Sequence, residues 1–238
     1  MKKIGVIVFP GTNCDRDVFH VLSDVMHIEA EYIWHRRQRL TGFSGLVLPG
    51  GFSYGDRLRA GIIAAHSPVI SEVKRMAKDG IPILGICNGF QILIESGMLP
   101  GALVRNEHLS FVCKWVDAKV ENELTPFTTL FKKNQMIRIP IAHGEGKYVA
   151  DDQTLKELRQ KNQIVLTYLN QNPNGSFESI AAICNRQGNV VGMMPHPERA
   201  SERILSSAVG STDGSTIFQS LAHHLGGMKR PNDLRCKS

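Results

Sequence analysis

The stretch Ile81-Pro82-Ile83-Leu84-Gly85-Ile86-Cys87-Asn88-Gly89-Phe90-Gln91 constrains this chain more than any other. An apolar run ends in Gly85-Ile86-Cys87-Asn88-Gly89, and a helix-like pattern follows. This reads as a strand that turns sharply into a helix with a side chain displayed at the turn. Two glycines flank Cys87 at equal spacing, where strand and helix approach too closely for side chains. The turn lifts the sulfur above a sheet edge and leaves it at a helix N-terminus, whose positive dipole end attracts negative charge. Covalent catalysis by Cys87 is the first expectation. The plain alternative is a buried core thiol, the common fate of a free cysteine. The glycine pair and the strand-then-helix pattern favour the nucleophile, which still needs a base.

The elbow fixes the context in which the rest is read. Strands are expected at 3–9, 29–34 and 45–48 before the elbow strand, with helical spacing at 15–28, 57–65, 67–79 and 88–96. Alternation of strand and helix predicts an α/β fold with a doubly wound, mainly parallel sheet and flanking helices. The second half is strand-rich, with extended segments at 113–120, 135–142, 163–168, 180–184 and 189–194. A helix at 152–161 interrupts them, and a last amphipathic helix is expected at 216–225. Sites on such sheets lie at the carboxyl ends of the strands. No linker or repeat is visible, so residues 1–228 read as one domain and 229–238 as a short polar, basic tail.

Composition narrows the classes. The chain has 238 residues, 42% hydrophobic and 21% charged, ordinary for a soluble globular protein. Five cysteines, an odd number with no Cys-x-x-Cys pair, argue against a disulfide framework or a thiolate zinc site. No apolar run approaches the roughly 20 residues that span a bilayer, and the start, Met1-Lys2-Lys3-Ile4, reads as a strand rather than a signal peptide. A cytoplasmic location is expected. The net charge is +6, with positive residues at His35-Arg36-Arg37-Gln38-Arg39, at Lys132-Lys133 and after Met228. None is interleaved with aromatics in the manner of a nucleic-acid surface, so solvated faces are expected, and neither nucleic acid nor a membrane is a partner.

The base is expected in Met194-Pro195-His196-Pro197-Glu198. The prolines push the segment towards extended conformations. In an extended segment residues i and i+2 share a face, so Glu198 can orient one ring nitrogen of His196 while the other meets the thiol. Nucleophile, base and orienter follow the logic of a catalytic triad. A lone loop histidine beside a solvated carboxylate is the bland alternative, and the cysteine elbow speaks against it. His223 and His224 are expected on the solvent side of the last helix. His143, in Ala142-His143-Gly144-Glu145-Gly146-Lys147-Tyr148, has no second ligand at metal spacing, so no metal site is expected. Pro49-Gly50-Gly51-Phe52 ends a strand, and backbone N–H groups there, at Gly51, with that of Asn88, can form an oxyanion hole. No phosphate-binding loop occurs anywhere in the chain.

Pro-Gly-Gly, Gly-x-Cys-x-Gly and His-Pro-Glu in this order resemble the class I glutamine amidotransferases. Further segments are similar to a branch that supplies ammonia in purine biosynthesis: Phe9-Pro10-Gly11-Thr12-Asn13-Cys14-Asp15, Gly51-Phe52-Ser53-Tyr54-Gly55-Asp56, Arg105-Asn106, the segment from Ala142 to Tyr148, and Asp213-Gly214. The resemblance implies that Cys87 attacks the side-chain amide of glutamine, that His196 moves the proton and that Glu198 orients it. It implies Gln91 as a substrate-holding residue, with Asn106 and Phe111 lining the same pocket. It further implies a large ATP-dependent synthetase subunit, and a small third subunit, as partners. Amide transfer to an activated acceptor needs a nucleotide site, and this chain shows none; ATP and magnesium are therefore expected on the partner, with no cofactor here. Two other readings remain open from sequence alone: a glutaminase subunit serving another acceptor, and a non-catalytic regulatory module.

Overall fold

Short apolar strands alternating with helices build the molecule, a computed structural model that describes residues 2–205 and 211–226. The expected tail, 229–238, lies outside the described residues. In chain order the elements are β1 (Lys3–Val8), α1 (Asp15–His20), β2 (Glu29–Trp34), β3 (Phe43–Leu48), α2 (Val69–Lys78), β4 (Ile83–Ile86), α3 (Asn88–Glu95) and β5 (Ala102–Val104). There follow β6 (Val112–Val120), β7 (Met136–His143), β8 (Lys147–Val149), α4 (Asp152–Gln160), β9 (Ile164–Tyr168), β10 (Ile180–Cys184), β11 (Val190–Met193) and α5 (Asp213–His224).

Nine strands form one sheet in the order β2-β1-β3-β4-β11-β10-β9-β6-β7. The pairings from β2 to β11 are parallel, and those from β11 onward to β7 are antiparallel. The parallel part is covered on both faces, and β4 and β11 are buried at every residue. The antiparallel part is the strand-rich second half. There β10 and β11 join through a tight turn with Gly188 at φ +79°, and β6 and β7 pair from Val112↔His143 to Lys119↔Met136.

α3 is buried from Asn88 to Ile94, so it is a central helix rather than a surface one. It lies directly on β11: a Cβ at Gly192 would sit 2.1 Å from Cδ2 of Phe90. α2 shows the ordinary amphipathic pattern, burying Val69, Ile70, Val73, Met76 and Ala77.

Three expectations change. The helix expected at 57–65 does not form; Leu58 (φ 69°) and Gly61 (φ 81°) break it, and only a 3-10 turn, Ala64–His66, remains. The helix expected at 15–28 is α1 followed by a wider π turn, Val21–Val25. A separate two-stranded ribbon, β5 with β8, was not foreseen because each strand has only three residues. No helix among the described residues is long and apolar enough to cross a membrane.

Candidate active site

The carboxyl ends of β3, β4 and β11 converge, and each delivers one part of the site. Cys87 follows β4 at φ 49°, ψ −102°, a left-handed conformation that an L residue rarely adopts. Its N–H donates to Met193 O at 2.7 Å, and its C=O accepts from Gln91 N–H at 3.1 Å, so the elbow is tied to β11 and to the first turn of α3. The flanking glycines are sterically required. A Cβ on Gly85 would lie 2.7 Å from Gly89 O, and one on Gly89 would lie 1.9 Å from Leu48 O. The sulfur sits 3.6 Å from Ala142 O, at the end of β7.

β11 runs into the segment that carries His196 and Glu198. His196 N–H donates to Pro140 O at 2.8 Å, which docks this segment on β7. The ring Nδ1 of His196 lies 2.6 Å from Glu198 Oε1, and both side chains are buried. A carboxylate only accepts, so Nδ1 carries the proton. Nε2 is then the nitrogen left for the thiol, and it makes no hydrogen bond to any described residue. Burial alone would lower the pKa of His196. The charges of Glu198 and Cys87 outweigh burial and hold it well above 6.5. The imidazole is thus built to carry a proton beside a sulfur.

β3 ends in Gly50-Gly51. Gly51 pairs with Thr12 in an isolated antiparallel bridge. Around this bridge Phe52 N–H donates to Gly11 O and Asn13 N–H to Gly50 O. The Gly51 N–H is not used by the bridge, and neither it nor the Asn88 N–H has a protein acceptor among the described residues. Gly50 is required as well, because a Cβ there would lie 2.8 Å from Cε1 of His196.

The remaining expected residues fall around Cys87 in different roles. Gln91, one turn into α3, accepts from Asn88 Nδ2 at 2.8 Å and donates to Glu145 O at 2.7 Å. Asn88 Oδ1 accepts from Ser53 N–H at 3.1 Å, and its Nδ2 reaches Asp56 Oδ1 at 3.4 Å. Burial and the nearby Glu145 charge push the Asp56 carboxyl up to about 6. Phe111 is exposed, its ring tilted at 32° to that of Phe52 with centroids 6.4 Å apart. Asn106 is fully buried, and every polar atom of its amide is occupied. Nδ2 donates to Ser110 O and His143 O, both at 2.9 Å, and Oδ1 accepts from Gly146 N–H at 3.0 Å and from His143 Nδ1 at 3.1 Å. Asn106 thereby shapes the loop after β7. His223 is half-buried and His224 exposed on α5.

Two neighbours of the triad escaped sequence reasoning. Cys14 Sγ lies 4.0 Å from His196 Nδ1 and accepts from Arg199 Nη2 at 3.0 Å. Arg199 Nε is 3.9 Å from Glu198 Oε1. The signal was present in the Phe9-to-Asp15 segment, but nothing local says that it reaches residues about 180 positions away. Cys14, His196 and Glu198 are also the one trio among the described residues with donor atoms close enough for a metal, within 4.8 Å of one another. The donors do not fit one: Nδ1 is bonded to Glu198, and the Arg199 guanidinium already places positive charge on the sulfur.

The chain is similar to known proteins. Residues 1–224 match the CobB/CobQ-like glutamine amidotransferase domain. The phosphoribosylformylglycinamidine synthase subunit PurQ of Methanosarcina acetivorans is 52% identical over 231 residues, spanning 94% of this chain and 98% of that protein. The structure of PurLQS from Thermotoga maritima contains a chain that superposes with a TM-score of 0.85 at 47% identity, covering 94% of this chain and 99% of that one. The glutaminase domain of Trypanosoma brucei CTPS, at 12% identity and a TM-score of 0.60 over 96% of each chain, shares the fold. The chain belongs to the CobB/CobQ-like glutamine amidotransferases.

Proposed function

We propose that this chain is the glutaminase subunit of a phosphoribosylformylglycinamidine synthase, acting with a large synthetase subunit and a small third subunit. The relatives that support this are named PurQ and PurLQS. In this reading Cys87 attacks the carboxamide carbon of glutamine, and its proton passes to His196 Nε2. The Gly51 and Asn88 N–H groups receive the oxyanion. The C–N bond then breaks, the nitrogen takes the proton from Nε2 and leaves as ammonia, and a γ-glutamyl thioester remains on Cys87. Water, deprotonated by His196, releases glutamate. Glu198 holds the tautomer and stabilises the imidazolium. Gln91 and Phe111 border the glutamine pocket, and Asn106 sets its wall. Ammonia passes to the synthetase, which converts formylglycinamide ribonucleotide to formylglycinamidine ribonucleotide with ATP and magnesium held on that partner. The setting is the cytoplasm.

The observation that carries the reading is the buried His196–Glu198 pair, 2.6 Å apart, with Nε2 free beside a cysteine held at positive φ. A glutamine-like electrophile, such as a chloroketone analogue, should modify Cys87 alone, and Cys87→Ala should abolish both labelling and glutamine hydrolysis. Mass-spectrometric assignment of the label to Cys14 or Cys113, with Cys87 unmodified, refutes it.

A further inference from the structure

The segment from Ala142 to Tyr148 holds a buried imidazole to which the triad gives no role. His143 is 3% exposed and continues the inward face of β7 after Ile137, Ile139 and Ile141. Its tautomer is fixed by Asn106. Nδ2 of Asn106 donates to two carbonyls, and its Oδ1 already accepts from Gly146 N–H, so the amide cannot be flipped without opposing like dipoles. The contact from His143 Nδ1 to Asn106 Oδ1, at 3.1 Å, must then carry a proton from the ring. Nε2 is left as a lone pair, and it makes no hydrogen bond to any described residue. A buried acceptor without a donor is costly and calls for a partner.

The backbone that carries this ring suggests the partner. The peptide joining Ala142 to His143 forms the wall against Cys87, with Ala142 O 3.6 Å from the sulfur. Burial and the charge of His196 hold the His143 imidazole down to about 4, so it is neutral under working conditions. A buried, proton-free acceptor suits a small neutral N–H donor and cannot protonate it.

Resting on the reading above, we propose that His143 Nε2 accepts an N–H of the nitrogen that leaves glutamine, and so holds the released ammonia inside this chain until it passes to the synthetase. No bond to the nitrogen is made at this step. The C–N bond breaks at Cys87, the proton comes from His196, and neutral ammonia then donates one N–H to His143.

Two substitutions separate this role from stapling of the loop. The amide of His143→Asn occupies the place of Nδ1 and keeps the donor to Asn106, but it removes the inner acceptor. His143→Gln does the reverse. The assay uses the assembled complex with the synthetase and counts glutamate released per formylglycinamidine ribonucleotide formed. In the wild type the ratio should be close to one. His143→Asn should raise it several-fold and slow glutamine-dependent synthesis by roughly tenfold, the weight of one hydrogen bond, with ammonium-dependent synthesis retained. His143→Gln should stay nearer to wild type. The reverse ranking, with His143→Gln the more damaging, would show that His143 only staples the loop, and wild-type ratios in both variants would show that Nε2 meets only water; either overturns the proposal. Failure of the wild-type complex to release glutamate would overturn the functional reading itself, independently of the variants.

Discussion

Cys87 occupies a backbone conformation that costs about 1–3 kcal/mol, and its neighbours are what hold it there. Gly89→Ala should therefore be severe, since the added Cβ would meet the Leu48 carbonyl rather than a flexible side chain. A loss of about 1–3 kcal/mol in urea unfolding is expected, and no loss would mean that α3 can move away from β3. Within the proposed triad, His196→Ala should cost more activity than Glu198→Gln, because in that reading the imidazole moves the proton and the carboxylate positions it; general acid–base catalysis contributes roughly 10²–10⁴-fold. A steeper loss in Glu198→Gln would reverse the roles. One buried and one half-buried group set opposing pH terms. His143 has its pKa held down to about 4, against an ordinary value of 6.5. As pH falls through that window the unfolded chain takes up the proton first, and stability is lost. Asp56 is raised from 3.8 to about 6, so the folded state takes up the proton first and stability is gained over nearly the same range. Asp56→Asn should remove only the gain and make unfolding free energy fall more steeply from pH 6 to 4 than in wild type. Equal slopes would show that the partial burial of Asp56 does not raise its pKa in the folded chain. The elbow and the His-Pro-Glu segment were legible in sequence because steric need and local geometry put their signature within a few residues. The contact of Cys14 with Arg199 was not, since only the folded chain brings residues 185 positions apart together.

Elements show the same division. β3, β4 and β11 were legible because strands buried on both faces read as unbroken apolar runs. Their direction was less so, since alternation reports which face is buried and not which way a neighbour runs, and the antiparallel edge from β10 to β7 emerged only in the structure. The apolar spacing at 57–65 resembled a helix, but a positive φ at Leu58 cannot be read from hydrophobicity. One element contact bears directly on activity. The first turn of α5 sits against the turn Pro197–Ala200 that carries Glu198, so closely that a Cβ on Gly214 would lie 2.1 Å from Pro197 O. Asp213 beside it accepts from Arg138 N–H of β7 at 2.7 Å. α5 thus braces the turn that holds Glu198 against His196. Gly214→Ala should reduce kcat of glutamine hydrolysis by tenfold or more while KM changes little, since a displacement of about 1 Å can cost roughly 10² in rate. Steady-state kinetics alongside thermal unfolding test this, and a kcat loss matched by general unfolding would deny the bracing role.

At the scale of the molecule the question is where each half of the reaction occurs. The amidotransferase domain takes residues 1–224, its nucleophile is enclosed by β4, β7 and β11, and the sequence has no phosphate-binding loop. In the proposed reading, activation of an amide acceptor by ATP belongs to the synthetase subunit, and only ammonia has to cross. A complex assembled with Cys87→Ala should lose glutamine-dependent formation of formylglycinamidine ribonucleotide and keep formation from ammonium chloride, because acceptor activation never touches the thiol. The two nitrogen sources should also differ in pH response. Synthesis from ammonium chloride should climb with pH as more of the salt becomes free ammonia, whereas glutamine delivers ammonia already neutral and should lack that climb. Product measured from both sources, with wild-type and Cys87→Ala complexes side by side, decides the matter. Loss of the ammonium-dependent reaction in a folded, assembled Cys87→Ala complex would mean that the thiol takes part in the synthetase step and that the two halves are not separable.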